Sequence, residues 1–145
     1  TPRELTHTPH GRPQNTNTYN NAAGAHTYKQ PFTIWEQVRE DIIALIICDE
    51  LRPGDKVLSL TEVSELYNCG RSTAQKALES LSEAEILYMV PGKGFFVNKA
   101  EGLKEQLATE YKENMADTLR RYIAMGKNIK MTDEEILNEV KNHLN

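Results

Sequence analysis

Cysteine is scarce in this sequence. Cys48 and Cys69 stand alone and far apart, which argues against a disulfide framework and against a four-ligand zinc site. No apolar run approaches the roughly 18 residues that a membrane span needs, and the N-terminal residues lack the apolar core of a signal peptide. A cytoplasmic protein with no membrane partner is expected. Positive charge is also lacking overall, since 17 basic residues face 21 acidic ones for a net charge of −4. No global field draws the chain to nucleic acid, so any DNA contact must rest on a local patch. The histidines, His7, His10, His26 and His143, all lie near one end or the other, which leaves the middle of the chain without an imidazole base. With no glycine-rich phosphate loop before a helix and no cysteine beside a basic residue, neither catalysis nor a cofactor or metal is expected.

What is present divides the 145 residues into three parts. Residues 1–30 are rich in Thr, Asn, Pro, His and Gly, with Leu5 as their only large aliphatic residue, and read as a disordered tail. The tail carries Arg3, Arg12 and Lys29 against Glu4, and its two early histidines have no further ligands with which to form a metal site.

Residues 31–99 read as one small domain. Thr33 and Glu36 have capping-box spacing, and Ile34, Trp35, Val38, Ile42, Leu45 and Ile46 mark the buried face of a helix running to about Asp49. Arg52-Pro53-Gly54-Asp55 then forces a turn, and Lys56-Val57-Leu58 has room for one short strand. A second capping box, Ser59 with Glu62, starts a short helix striped by Val63, Leu66 and Tyr67. After Asn68-Cys69-Gly70, a spacer short enough to be a turn, Ala74, Ala77, Leu78 and Leu81 form the inward stripe of another helix. Its early outward positions hold Arg71, Ser72, Thr73, Gln75 and Lys76. Such a helix suits the major groove, although any helical hairpin with a solvated outer face would share the pattern. Cys69 in the turn reads as a small buried apolar residue. Ile86–Val90 and Phe95–Val97 are β-prone runs around Pro91-Gly92-Lys93-Gly94, a hairpin with a cationic, glycine-rich tip. A hairpin directly after a helix-turn-helix is the wing of a winged helix.

This order of helix, RPGDK turn, helix-turn-helix and GKGFFV hairpin resembles the GntR family of bacterial transcription regulators over about residues 32–98. The resemblance implies a recognition helix, 71–85, in the major groove and a wing, 91–95, at the minor groove. It places Ser59, Thr61, Arg71, Ser72, Thr73, Gln75, Lys76, Gly92, Lys93 and Gly94 against double-stranded operator DNA. Thr61 stands where the family usually has an arginine, Leu58 replaces a common proline, and Gly70 replaces a frequent capping serine.

Residues 100–145 are expected to dimerise. Leu103, Leu107, Tyr111, Met115, Leu119 and Tyr122 recur every three or four residues along a long helix that should end at Gly126. Thr132 and Glu135 then cap a final helix striped by Ile136, Leu137, Val140 and Leu144. Two such helices cannot enclose a core alone, and a second copy is the simplest partner. The short C-terminal part resembles that of the YtrA-like subfamily, as does Thr73-Ala74-Gln75-Lys76-Ala77. The resemblance implies a homodimeric repressor on a palindromic site. A small-molecule effector would have to bind at the dimer interface or in the cleft beside the winged domain, and no residues stand out for it. The fold class expected is mainly α with a small β-hairpin (α+β), an N-terminal winged helix-turn-helix followed by two C-terminal helices. The competing reading is a winged helix that binds protein, since residues 31–99 hold seven basic against eleven acidic side chains.

Overall fold

The computed structural model describes residues 32–144, so the expectations for residues 1–30 lie outside the described part. The chain divides into two compact units, one ending at Leu107 and the other starting at Ala108.

In the first unit, α1 (Ile34–Ile47) starts on the expected capping box, in which the Glu36 N–H donates to Thr33 Oγ1 at 3.4 Å and Glu36 Oε1 accepts from the Thr33 N–H at 2.9 Å. Val38, Ile42, Leu45 and Ile46 are buried, and Ile43 and Asp41 join them. Ile34, expected on the inner face, is instead 40% exposed. It occupies the first helical position, before the turn that meets the core. The helix ends at Ile47 rather than near Asp49, because Asp49 takes φ 65° and the N–H groups of Asp49 and Glu50 return to the carbonyls of Ile46 and Leu45.

Arg52–Asp55 forms the turn, with Gly54 at φ +86° and the Asp55 N–H donating to the Arg52 carbonyl. The strand expected at Lys56–Leu58 shrinks to a single bridge, Lys56 to Phe96. Val57 and Leu58 are sunk into the core and Ser59 already caps the next helix, so the ladder has nowhere to extend.

Helix α2 (Leu60–Tyr67) ends at Asn68, which adopts φ 51°, and α3 (Arg71–Glu83) begins directly after Gly70. Ala74, Ala77, Leu78 and Leu81 are all fully buried, as their spacing requires. Helix α3 stops at Glu83, two residues short of the expected 85. Glu85 turns left-handed at φ 62°, and the Ile86 N–H reaches back to the Leu81 carbonyl. Strands β1 (Leu87–Val90) and β2 (Gly94–Val97) pair antiparallel in the register Leu87 to Val97, and Tyr88 stacks on Phe96 at 5.7 Å. The first turns of α4 (Leu103–Asn128) close this unit, where Leu107 is buried and Lys104 Nζ meets Asp49 Oδ2 at 2.8 Å.

In the second unit α4 does not stop at Gly126. It runs to Asn128, and the left-handed residue that ends it is Lys130, at φ 65°, with the Met131 N–H bonded to the Gly126 carbonyl. Gly126 serves packing: a Cβ there would lie 2.9 Å from Ile136 on α5 (Asp133–Asn142). The Thr132 and Glu135 capping box starts α5 as expected. Among the described residues, no helix is long and apolar enough to cross a membrane.

Candidate nucleic-acid interface

Helix α3 is held by its buried alanines and leucines, so the direction of its polar face is set by packing rather than by any partner. Its first turn contains no acidic residue, which leaves the positive end of the helix dipole unopposed. Arg71, at the first helical position, and Ser72 are exposed, while Thr73 is half-buried. Arg71 Nη1 donates to Thr61 Oγ1 at 3.4 Å. Thr61 thus braces the arginine of the neighbouring helix. Ser59 is engaged locally, its hydroxyl accepting from the Glu62 N–H at 3.1 Å.

The next two polar side chains of α3 have partners within the domain. Gln75 Nε2 donates to Glu79 Oε2 at 2.8 Å. Lys76 swings toward α1 and places Nζ 4.7 Å from the centre of the Trp35 ring. Trp35, Ser72, Gln75, Lys76, Glu79, Ser80 and Glu83 line a shallow cleft of about 360 Å³ on this flank. Glu36 lies nearby. Its carboxyl is held below the ordinary carboxylate range first by the backbone N–H of Thr33, then by the Thr33 hydroxyl, with the Lys76 charge adding to both. Neither the Trp35–Lys76 contact nor the Arg71–Thr61 contact has a signal in the sequence, because the partners come from different helices.

At the wing tip the Lys93 N–H donates to the Val90 carbonyl at 2.9 Å, with Pro91 and Gly92 between them and Gly92 at φ +77°. Proline before a glycine of positive φ makes this a type II turn. Nothing lies within 4 Å of a Cβ built on Gly92, and the Lys93 side chain is exposed. Gly94, at φ +120°, sits under the Lys56 side chain, whose Cε would be 3.1 Å from an added Cβ. The wing therefore gathers Lys56 and Lys93, two cations 37 residues apart in sequence, around bare backbone. In the turn before α3, Cys69 is half-buried and burial pushes its thiol up, which disfavours the reactive thiolate.

The residues expected to dimerise fall into separate environments. Leu107 is buried and Leu103 half-buried in the first unit. In the second, Ile136 is buried against Gly126, while Tyr111, Tyr122 and Val140 are half-buried. Met115, Leu119 and Leu137 are 60%, 50% and 53% exposed. Ile123, Met125 and Ile129 are exposed as well, although the helical pattern in the sequence had not singled them out.

Comparison with known proteins agrees with this geometry. Residues 34–97 match the sequence model described as "Bacterial regulatory proteins, gntR family". The chain is 25% identical over 109 residues to the HTH-type transcriptional regulator YhcF of Bacillus subtilis, covering 74% of this chain and 87% of that one. Over 74 residues, 51% of this chain, it is 30% identical to the arabinose metabolism transcriptional repressor of Geobacillus stearothermophilus, of which it spans only 20%. Among solved structures, a GntR family transcriptional regulator from Listeria monocytogenes superposes with a TM-score of 0.61 at 25% identity, covering 79% of this chain and 98% of that one. These relatives are named as regulators of transcription, not as enzymes. Over residues 34–97, the winged helix, the chain is similar to the gntR family of bacterial regulatory proteins.

Proposed function

We propose that the protein is a sequence-specific, homodimeric DNA-binding repressor of the short YtrA-like type. Helix α3 enters the major groove, the Pro91–Phe95 wing lies at the minor groove, and two protomers read a palindromic operator. The observation that carries this reading is the outer face of α3. Arg71, Ser72 and Thr73 are presented at a helix N-terminus free of acidic residues, on a helix whose opposite face is sealed in the core. Arg71 is the side chain suited to a bidentate contact with guanine, and Lys93 is suited to a phosphate. Dimerisation is supported by the exposed Met115, Leu119 and Leu137 of the second unit, and it would bring two recognition helices to half-sites about 34 Å apart. The negative balance of the winged domain is compatible with this, because its cations at Lys56, Arg71 and Lys93 belong to the candidate DNA face.

The test is selection of duplexes from a random pool by the full chain, followed by affinity measurements across salt concentrations. An enriched palindrome is expected, with Arg71→Ala losing about 1–3 kcal/mol of binding and relaxing one position of the site. Lys93→Ala should weaken all duplexes alike and lower the salt slope by about 1. If no sequence is enriched at low salt, the winged helix serves a protein partner instead.

A further inference from the structure

We propose that Trp35, which lies outside the helix-turn-helix, is a positioning residue for DNA binding: its indole face holds the Lys76 ammonium on the α1 side of α3, where it contacts a phosphate rather than a base edge. This rests on the DNA-binding reading above.

Three observations combine. The Lys76 Nζ lies 4.7 Å from the Trp35 ring centre. The cleft they share is lined by one cation, Lys76, and two carboxylates, Glu79 and Glu83. Glu79, three residues beyond Lys76 on the same helix face, is the natural partner for a lysine left free to rotate, and that pairing would draw the charge along α3. Two contacts oppose it. Gln75 donates to Glu79, and Trp35 attracts Lys76 toward α1. A DNA strand passing this flank therefore meets the Lys76 ammonium in a defined place on the α1 side, beside Glu36, instead of drawn along α3 to Glu79. A lysine is a point charge with no fork geometry, which suits a phosphate, and its contribution should not depend on sequence.

The chain contains a single tryptophan, so its emission reports on Trp35 alone. Without DNA, Lys76→Met should change that emission, and an unchanged spectrum overturns the proposal at once. Affinity is then measured against salt for the duplex enriched by selection and for a scrambled duplex of equal composition. Trp35→Ala is expected to weaken both by about two- to fivefold, the worth of an exposed cation–π contact, with the salt slope intact. Trp35→Phe, which keeps a ring, should retain most of the affinity and guards against a folding defect in the alanine variant. Lys76→Ala should lower the slope by about 1, and adding Trp35→Ala to it should cost nothing more. An equal loss from Trp35→Ala with or without Lys76, or a loss confined to the selected duplex, overturns the positioning role while leaving DNA binding in place. If wild type binds neither duplex, the DNA reading itself has failed and this proposal falls with it.

Discussion

The hydroxyl of Tyr67, the last residue of α2, donates to Oδ2 of Asp41 on α1 at 2.6 Å, and Asp41 is only 6% exposed. This bond joins the first helix of the helix-turn-helix to the helix that backs it. Tyr67→Phe keeps the ring and deletes the donor, leaving a buried carboxylate with one fewer partner. A loss of about 1–3 kcal/mol of stability is expected, read by chemical denaturation. A change within a few tenths would show that Asp41 is satisfied without Tyr67.

Ser59 separates a structural role from a DNA-binding one. Its hydroxyl caps α2, so Ser59→Ala should cost about 1 kcal/mol of stability. Measured well below the melting temperature, DNA affinity should be much less affected than in Arg71→Ala. Equal losses of affinity in the two variants would mean that Ser59 also touches DNA.

Gly126 is helical, and by propensity alone Gly126→Ala ought to stabilise α4 by about 1 kcal/mol. The contact with Ile136 reverses that expectation. An added Cβ would lie 2.9 Å from both Cγ1 and Cδ1 of Ile136, closer than packed carbons approach. Overpacking of this kind costs about 1–3 kcal/mol, so net destabilisation is expected. Ile136→Ala in the same chain should recover part of it, and a thermal-unfolding double-mutant cycle measures the coupling.

The exposed apolar side chains of the second unit set the prediction for assembly. Leu119→Asp or Leu137→Asp should shift the protein from dimer to monomer in sedimentation velocity, with helix content and the winged domain intact. The monomer should then bind a palindrome more weakly, with little change on a half-site. If the variants still sediment as dimers, a different surface makes the interface.

The elements of this fold were largely legible in the sequence because they are specified locally. Three capping boxes, at Thr33, Ser59 and Thr132, each place side-chain acceptors opposite orphan amides a few residues away, and all three formed. The inward stripe of α3 and the Pro91-Gly92 turn are equally local, and they located the helix-turn-helix and the hairpin. Helix ends were harder. Asp49, Glu85 and Lys130 terminate helices in the left-handed conformation without being glycine, while Gly126 sits inside a helix, so glycine as a stop signal misled at the end of α4.

By itself, then, the sequence determined the order and type of the elements and the amphipathic faces that orient them, because spacing and capping act within a few residues. Only the tertiary structure decided which polar side chains face outward unengaged and which are already held. It drew Lys76 to Trp35 and Arg71 to Thr61, and it committed Ile136 to Gly126 while leaving Leu119 and Leu137 exposed. These pairings join residues on different helices, and their distances follow from how the helices pack, which periodicity along a single helix does not encode.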